Sequence, residues 1–189
     1  MKPLTINTAI NTSLKDNTTS YYNANDCFIA ICLLLIVFLI SINVILPWLI
    51  RFIVPKRLFN ENMWLFKERK FEGRFYRKIK INKWKNKLPD AEKLIHFQRS
   101  CLPYNIDKSY INRFITECCI AELGHLSVGI AGFSSVFLAL AFPYEIRFIA
   151  ILIFLFFSIL DLFTQALFII IQRYNRPRLI KLRKLYNSK

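Results

Sequence analysis

Three stretches almost free of charge, Cys27 to Leu49, Cys118 to Phe142 and Phe148 to Gln172, decide what this chain can fold into. Each is longer than the roughly 20 residues an α-helix needs to cross about 30 Å of hydrocarbon. The first carries no charged side chain, the second holds Glu122 and His125, and the third holds Asp161. A soluble helix of that length shows a polar face, and these do not. The expected fold class is an all-α integral membrane protein: three transmembrane helices, with a basic amphipathic cytoplasmic loop between the first and second.

Charge sets the expected orientation. The net charge is +15, and 17 of the 27 Lys and Arg lie between Arg51 and Arg113, with seven more from Arg173 to Lys189. Lys2, Lys15 and Arg147 are the remainder. The positive-inside rule puts the central loop and the tail in the cytoplasm of a multi-pass protein of the bacterial cell membrane, and the N-terminus outside. Three spans require the two termini on opposite sides, and the charge count agrees with that independently of hydropathy. Topology therefore accounts for the basic composition, and no nucleic-acid partner is expected. Membrane lipids with anionic head groups are expected partners of the basic face.

The domain reading follows from these boundaries. Residues 1–26 form a polar N-terminal segment, outside, with neither the charged n-region nor the short apolar core of a cleavable signal. Residues 27–178 form a single membrane-embedded domain with spans at about 27–49, 118–142 and 148–172, and 179–189 form a basic tail. The five cysteines show no CxxC metal spacing and read as small apolar packing residues. Pro47 and Pro55 mark a kink or exit turn at the end of the first span. In the loop, the apolar positions Phe71, Phe75, Tyr76 and Ile79 follow helical spacing, which predicts a basic amphipathic helix on the inner leaflet, ended by Pro89. Leu94 to Arg99 and Ile106 to Ile115 form further short helical candidates, the latter continuing into the second span.

An ionisable side chain inside hydrocarbon is costly and hence a functional candidate. Glu122 and His125 are three apart and share a helical face, about 4.5 Å apart along the axis, so the carboxylate can reach the imidazole. Such a pair fixes the tautomer and raises the basicity that a general base requires. Glu117 lies on the same side but about 12 Å from His125 along the axis. Counted from the basic ends of their spans, Gln165 and His125 lie at similar depth, about 10 Å in, with Asp161 one turn deeper. The alternative is that these residues pin the second and third spans together by interhelical hydrogen bonds; for Asp161 the two readings stand level, and for Glu122 with His125 the cost of burying both favours function. A second E-x-x-H, an H-E-x-x-H and a G-x-S-x-G are all missing from the sequence, so neither a metal site nor a serine nucleophile is expected. His96, in the loop, reads as a surface residue. At the basic end of the third span, Gln172-Arg173-Tyr174-Asn175-Arg176-Pro177-Arg178 is either a phosphate clamp or an ordinary basic flank.

The QRYNRPR tail, the loop segment Phe71-Glu72-Gly73-Arg74-Phe75-Tyr76 leading to Lys83-Trp84-Lys85 and Leu88-Pro89-Asp90, and the Glu117…Ala121-Glu122…His125 block occur in one order. Together they resemble the glycosyl-4,4'-diaponeurosporenoate acyltransferases, small membrane enzymes of bacterial carotenoid synthesis, over roughly Phe59 to Arg178. Cys118-Cys119-Ile120 and Leu126 depart from that pattern beside the candidate pair and leave the pair itself intact. The resemblance implies transfer of a fatty acyl group from acyl-CoA or an acyl-carrier protein to a sugar hydroxyl of a glycosylated carotenoid or similar lipid-linked sugar, without a cofactor. It implies a catalytic group of His125, Glu122 and Glu117. It implies substrate contacts from Arg173, Asn175, Arg176, Arg178, Gln165, Trp84, Lys83, Lys85 and Glu72. In that scheme His125 is the general base, the arginines hold donor phosphates, and Gln165 assists the oxyanion. The alternative from another class is a non-catalytic membrane subunit whose basic face recruits an anionic partner or lipid.

Overall fold

The computed structural model describes residues 6–88 and 107–188, with side chains from Asp26 onward. Its α-helices are α1 (Ile6–Ile53), α2 (Glu72–Lys78), α3 (Lys108–Gly132), α4 (Ser135–Leu138) and α5 (Tyr144–Asn187), joined by short 3₁₀ turns. No strand occurs among the described residues. Asp26–Ile53, Lys108–Ala141 and Tyr144–Asn187 are long and apolar enough to cross a membrane, their 18-residue apolar windows having mean hydropathies of 3.2, 1.7 and 2.5. The protein is therefore an all-α membrane protein with three spanning helices. The candidate helix Leu94 to Arg99, His96, Cys101 and the prolines at 89 and 103 lie outside the described residues.

The middle span is the least apolar because it is the most enclosed. α3 packs chiefly along α5 and secondarily along α1. The outer helices turn apolar stripes away from the protein: on α1, Leu33, Val37, Ile40 and Val44 are 56–61% exposed at helical spacing. Such a stripe is an aggregation liability in water and the ordinary outer surface of a helix in lipid. Small residues let the helices approach. A Cβ at Gly129 would stand 2.9 Å from Leu162 Cδ1 and 3.5 Å from Gln165 Cβ, so any larger residue there requires the Leu162 side chain to move. A Cβ at Gly124 would stand 3.6 Å from Pro47 Cβ, in ordinary contact with α1.

Local chemistry sets the helix ends. The Asp107 carboxylate accepts the Tyr110 N–H at 2.7 Å and caps α3, whose first turns run into the span without a break, as the sequence suggests. The expected uninterrupted helix over 118–142 is not what forms. α3 stops at Gly132, and α4 with a 3₁₀ turn at Ala139–Ala141 completes the crossing. Ser158 Oγ lies 2.9 Å from the Gly132 carbonyl and 3.0 Å from Ser135 Oγ, so α5 supplies a polar partner where the helix ends. Across the following turn, the Arg147 guanidinium donates twice to the Phe142 carbonyl, at 3.1 and 3.2 Å.

The described part of the loop between the first two spans, residues 54–88, folds back on the basic end of the bundle. Phe59 and Phe66 are buried with Ile50, Cys119 and Ile120, tying the loop to α1 and α3. The amphipathic helix is shorter than its apolar spacing predicts: α2 is seven residues long and ends before Lys80, which has a left-handed φ of 50°. Its two faces divide clearly. Glu72 and Tyr76 are buried against α5, while Phe71 and Phe75 are 62% and 39% exposed beside the exposed Trp64.

Candidate functional site

Two polar layers cross the bundle, one inside the hydrocarbon-length region and one at its basic end. The inner layer joins all three spanning helices. Asn43 Nδ2 donates to the Leu39 carbonyl at 2.9 Å and, at 3.3 Å, to Asp161 Oδ1. Gln165 Nε2 donates to Asn43 Oδ1 at 2.8 Å and to Asp161 Oδ1 at 3.0 Å. Gln165 Oε1 lies 2.7 Å from His125 Nδ1. Helix depth, counted from the sequence, puts His125 and Gln165 side by side, and here they are in hydrogen-bond contact.

The direction of this chain is fixed at its start. A backbone carbonyl only accepts, so Leu39 assigns the Asn43 amide nitrogen and turns its oxygen to Gln165. Gln165 must then present its nitrogen to Asn43 and Asp161 and its oxygen to His125, making Nδ1 the donor. In a neutral ring the basic lone pair is then on Nε2. The His125 ring also stacks on Phe168, with centroids 4.8 Å apart and planes at 10°. The residue spacing points to Glu122 as the partner that fixes this tautomer; at Nδ1 that partner is Gln165.

The second layer is a buried ion-pair network. Glu122, 3% exposed, accepts from Arg173 Nη1 and from Arg176 Nη1. Arg173 also bonds Glu72 at 2.6 Å and the carbonyls of Leu65 and Lys67 at 2.9 and 3.1 Å. Arg176, 2% exposed, reaches the Phe66 carbonyl. Nearer the start of α3, Glu117 accepts both terminal nitrogens of Arg51, from the last turn of α1. Five residues singled out from the sequence, Glu72, Glu117, Glu122, Arg173 and Arg176, are thus partners in charge pairs that bind α1, the loop, α3 and α5 together. Taking one partner from such a pair strands a buried charge, at about 3–5 kcal/mol. Glu72 shows the balance: burial alone raises its carboxyl, but hydrogen bonds from Arg173 and Tyr76 hold it below the usual carboxylate range. Burial, and then the Glu72 carboxylate, push the Tyr76 hydroxyl far above its ordinary value.

The remaining candidates gather around Tyr174. Its hydroxyl donates to Asn82, Arg178 lies 3.8 Å over its ring, and Lys85 lies 5.2 Å from the same centroid. Trp84 donates to the Ile79 carbonyl at 3.0 Å and packs with Tyr76, Ile81 and Tyr174. Arg178 and Lys83 line a surface cavity of about 590 Å³, and a second cavity of about 460 Å³ is walled by Trp64, Phe71, Phe75 and Arg173. The three arginines of the tail motif therefore divide, two into the buried network and Arg178 to the open cavity. Asn175 is half-buried on α5. Asn43, Phe168, Arg51 and Glu61, which bonds Arg183, were not singled out from the sequence. An Asn in a span otherwise so apolar is a signal that could have found the first of these. Among the described residues no group of three metal-ligating side chains occurs.

Comparison with known proteins supplies what geometry alone does not. The family model for glycosyl-4,4'-diaponeurosporenoate acyltransferase matches residues 62–185. A protein of that name from Staphylococcus aureus strain MRSA252 is 33% identical over 141 residues, 70% of this chain and 76% of the relative. Its counterpart from strain Newman is 31% identical over 145 residues, 72% of this chain and 78% of the relative. No solved structure matches the chain. Apart from Leu39, Asn43 and Arg51, all the residues of both polar layers fall within the matched segment. The chain belongs to the glycosyl-4,4'-diaponeurosporenoate acyltransferase family, and so to a family of acyltransferases.

Proposed function

We propose that this protein, working at the cytoplasmic face of the bacterial cell membrane, moves a fatty acyl group from a thioester donor, acyl-CoA or acyl-carrier protein, to a sugar hydroxyl of a glycosylated carotenoid or similar glycolipid. The relatives are named for a glycosylated carotenoid substrate, which supports that acceptor class. The observation that carries the mechanism is the chain from Leu39 through Asn43 and Gln165 to His125 Nδ1, which holds the imidazole as a base at Nε2. In this reading His125 Nε2 takes the proton of the sugar hydroxyl as its oxygen attacks the thioester carbonyl. The tetrahedral intermediate then expels the thiolate, which recovers the proton from the imidazolium. An ester C–O bond forms and a thioester C–S bond breaks, with no redox change.

Both ends of the Gln165 amide are engaged in this chain, so its part is to position His125 rather than to receive the oxyanion. Glu122 and Glu117 act at one remove, by holding Arg173, Arg176 and Arg51 and so fixing the helix register around His125. The charge asymmetry supports a cytoplasmic basic end, where a soluble thioester meets a lipid acceptor. Pigments and glycolipids extracted from cells carrying wild-type or His125→Ala protein test the reading by mass spectrometry. Loss of an acyl-sized mass at equal protein level is expected, and unchanged acylation would overturn the role of His125. A role confined to recruiting partners is disfavoured by membership of an enzyme family.

A further inference from the structure

The buried arginine network leaves open where an anionic donor would be held, and the cavity of about 590 Å³ answers to that need. Its wall carries five cationic side chains from three directions: Arg77 on α2, Lys80 and Lys83 just beyond it, and Arg178 and Lys181 on α5. One carboxylate, Glu68, lines the same cavity. Such an excess of like charge converging on a concavity repels itself unless an anion intervenes. Two further observations mark the place as built. Lys80 holds a left-handed φ of 50°, a conformation that costs a non-glycine residue free energy and turns the chain at the cavity's edge. Lys85, beside Tyr174, has its ammonium depressed first by burial and then by Arg178, so two cations are crowded against that ring.

We infer that this cavity binds the phosphate groups of a nucleotide-type thioester donor, of the coenzyme A class, with Arg77, Lys80, Lys83, Arg178 and Lys181 as its contacts. The volume lies within the range of small-molecule and cofactor sites, and guanidinium and ammonium groups on several elements suit a ligand with more than one phosphate. The assignment rests on the thioester reading for the class of the donor. It places the donor's charged end on the loop and α5, outside the span that carries His125.

The same phosphate chemistry could come from a lipid head group, and the test separates the two. Full-length protein in phosphatidylcholine nanodiscs is titrated with coenzyme A, with no acceptor present, by calorimetry. Arg77→Ala/Lys181→Ala is expected to weaken binding at least tenfold, whereas Lys56→Ala/Arg57→Ala, which removes two charges outside the cavity, changes it less than twofold. Glu68→Gln is expected to tighten binding severalfold, an effect opposite to that of damage to the fold. All these side chains are exposed. Equal losses in the two double variants, or no binding by wild type, would overturn the site. So would displacement of coenzyme A by phosphatidylglycerol in the nanodisc, which would give the cavity to lipid. Because the readout is binding, the two readings fail separately. Coenzyme A bound without acyl transfer from its thioester sinks the reaction and leaves the site, while transfer at wild-type KM in Arg77→Ala/Lys181→Ala does the reverse.

Discussion

At the scale of single residues, the arrangement turns on which nitrogen of His125 carries a proton. Gln165 decides it, and Asn43 decides Gln165. Replacing Gln165 by Glu keeps an acceptor at Nδ1 but sets a carboxylate beside Asp161 and Asn43; replacing it by Leu removes the acceptor altogether. The expected order of acyl-transfer rate is wild type, then Gln165→Glu, then Gln165→Leu, the last lower by about 10²–10³ as befits a disabled general base. A steady-state assay at several pH values checks it, since a rate limited by the base follows the ring's titration. Asn43→Leu is expected to act the same way but less severely, because Asp161 still holds the Gln165 amide. The sequence made His125 and Gln165 legible as polar residues at one depth. It left their orientation hidden, because the direction of a hydrogen-bond chain depends on a backbone carbonyl, Leu39, that no residue type encodes. The partition of the tail arginines was hidden for a similar reason. Arg173, Arg176 and Arg178 look alike in the motif, and only the angle of each around α5 sends two inward and one to the cavity.

Among the elements, the junction of α2 with α5 and the contact of α3 with α5 are held by different forces. The first is electrostatic and aromatic: Glu72 with Arg173, and Tyr76 edge-on to Tyr174 at 5.4 Å. Because the folded state lowers the Glu72 carboxyl, its contribution is present at neutral pH and is lost as pH falls through that lowered value, below the usual carboxylate range. Tryptophan fluorescence during an acid titration is therefore expected to show the loop of wild type loosening at low pH, whereas Glu72→Gln is already loosened at neutral pH and lacks that acid step. The α3–α5 contact is steric. Gly129→Val is expected to destabilise the protein by about 1–3 kcal/mol through overpacking against Leu162, lowering the thermal midpoint in detergent. Hydrophobic runs made the three spans legible, and their ends less so. Where α3 stops at Gly132, its carbonyl meets Ser158, 26 positions later, a tertiary contact that periodicity cannot foresee.

For the molecule as a whole, one helix does two jobs. α5 crosses the bilayer length, supplies Gln165 to the inner layer, and continues past the buried arginines to the rim of the cationic cavity. That continuity runs along one helix from Gln165, beside His125, to the cationic cavity. The charge segregation along the chain further predicts topology: in a cysteine-free background, Ser188→Cys is expected to react with an impermeant maleimide only after permeabilisation, and Ser13→Cys without it. The reverse pattern would put the basic end outside, away from cytosolic thioesters. The most direct test of the central claim is acyl transfer by purified protein in nanodiscs, from an acyl-CoA to a glucosylated carotenoid, comparing wild type with His125→Ala at matched thermal stability. The account predicts product from wild type and a rate at least a hundredfold lower from the variant. Equal rates from the two proteins would contradict it.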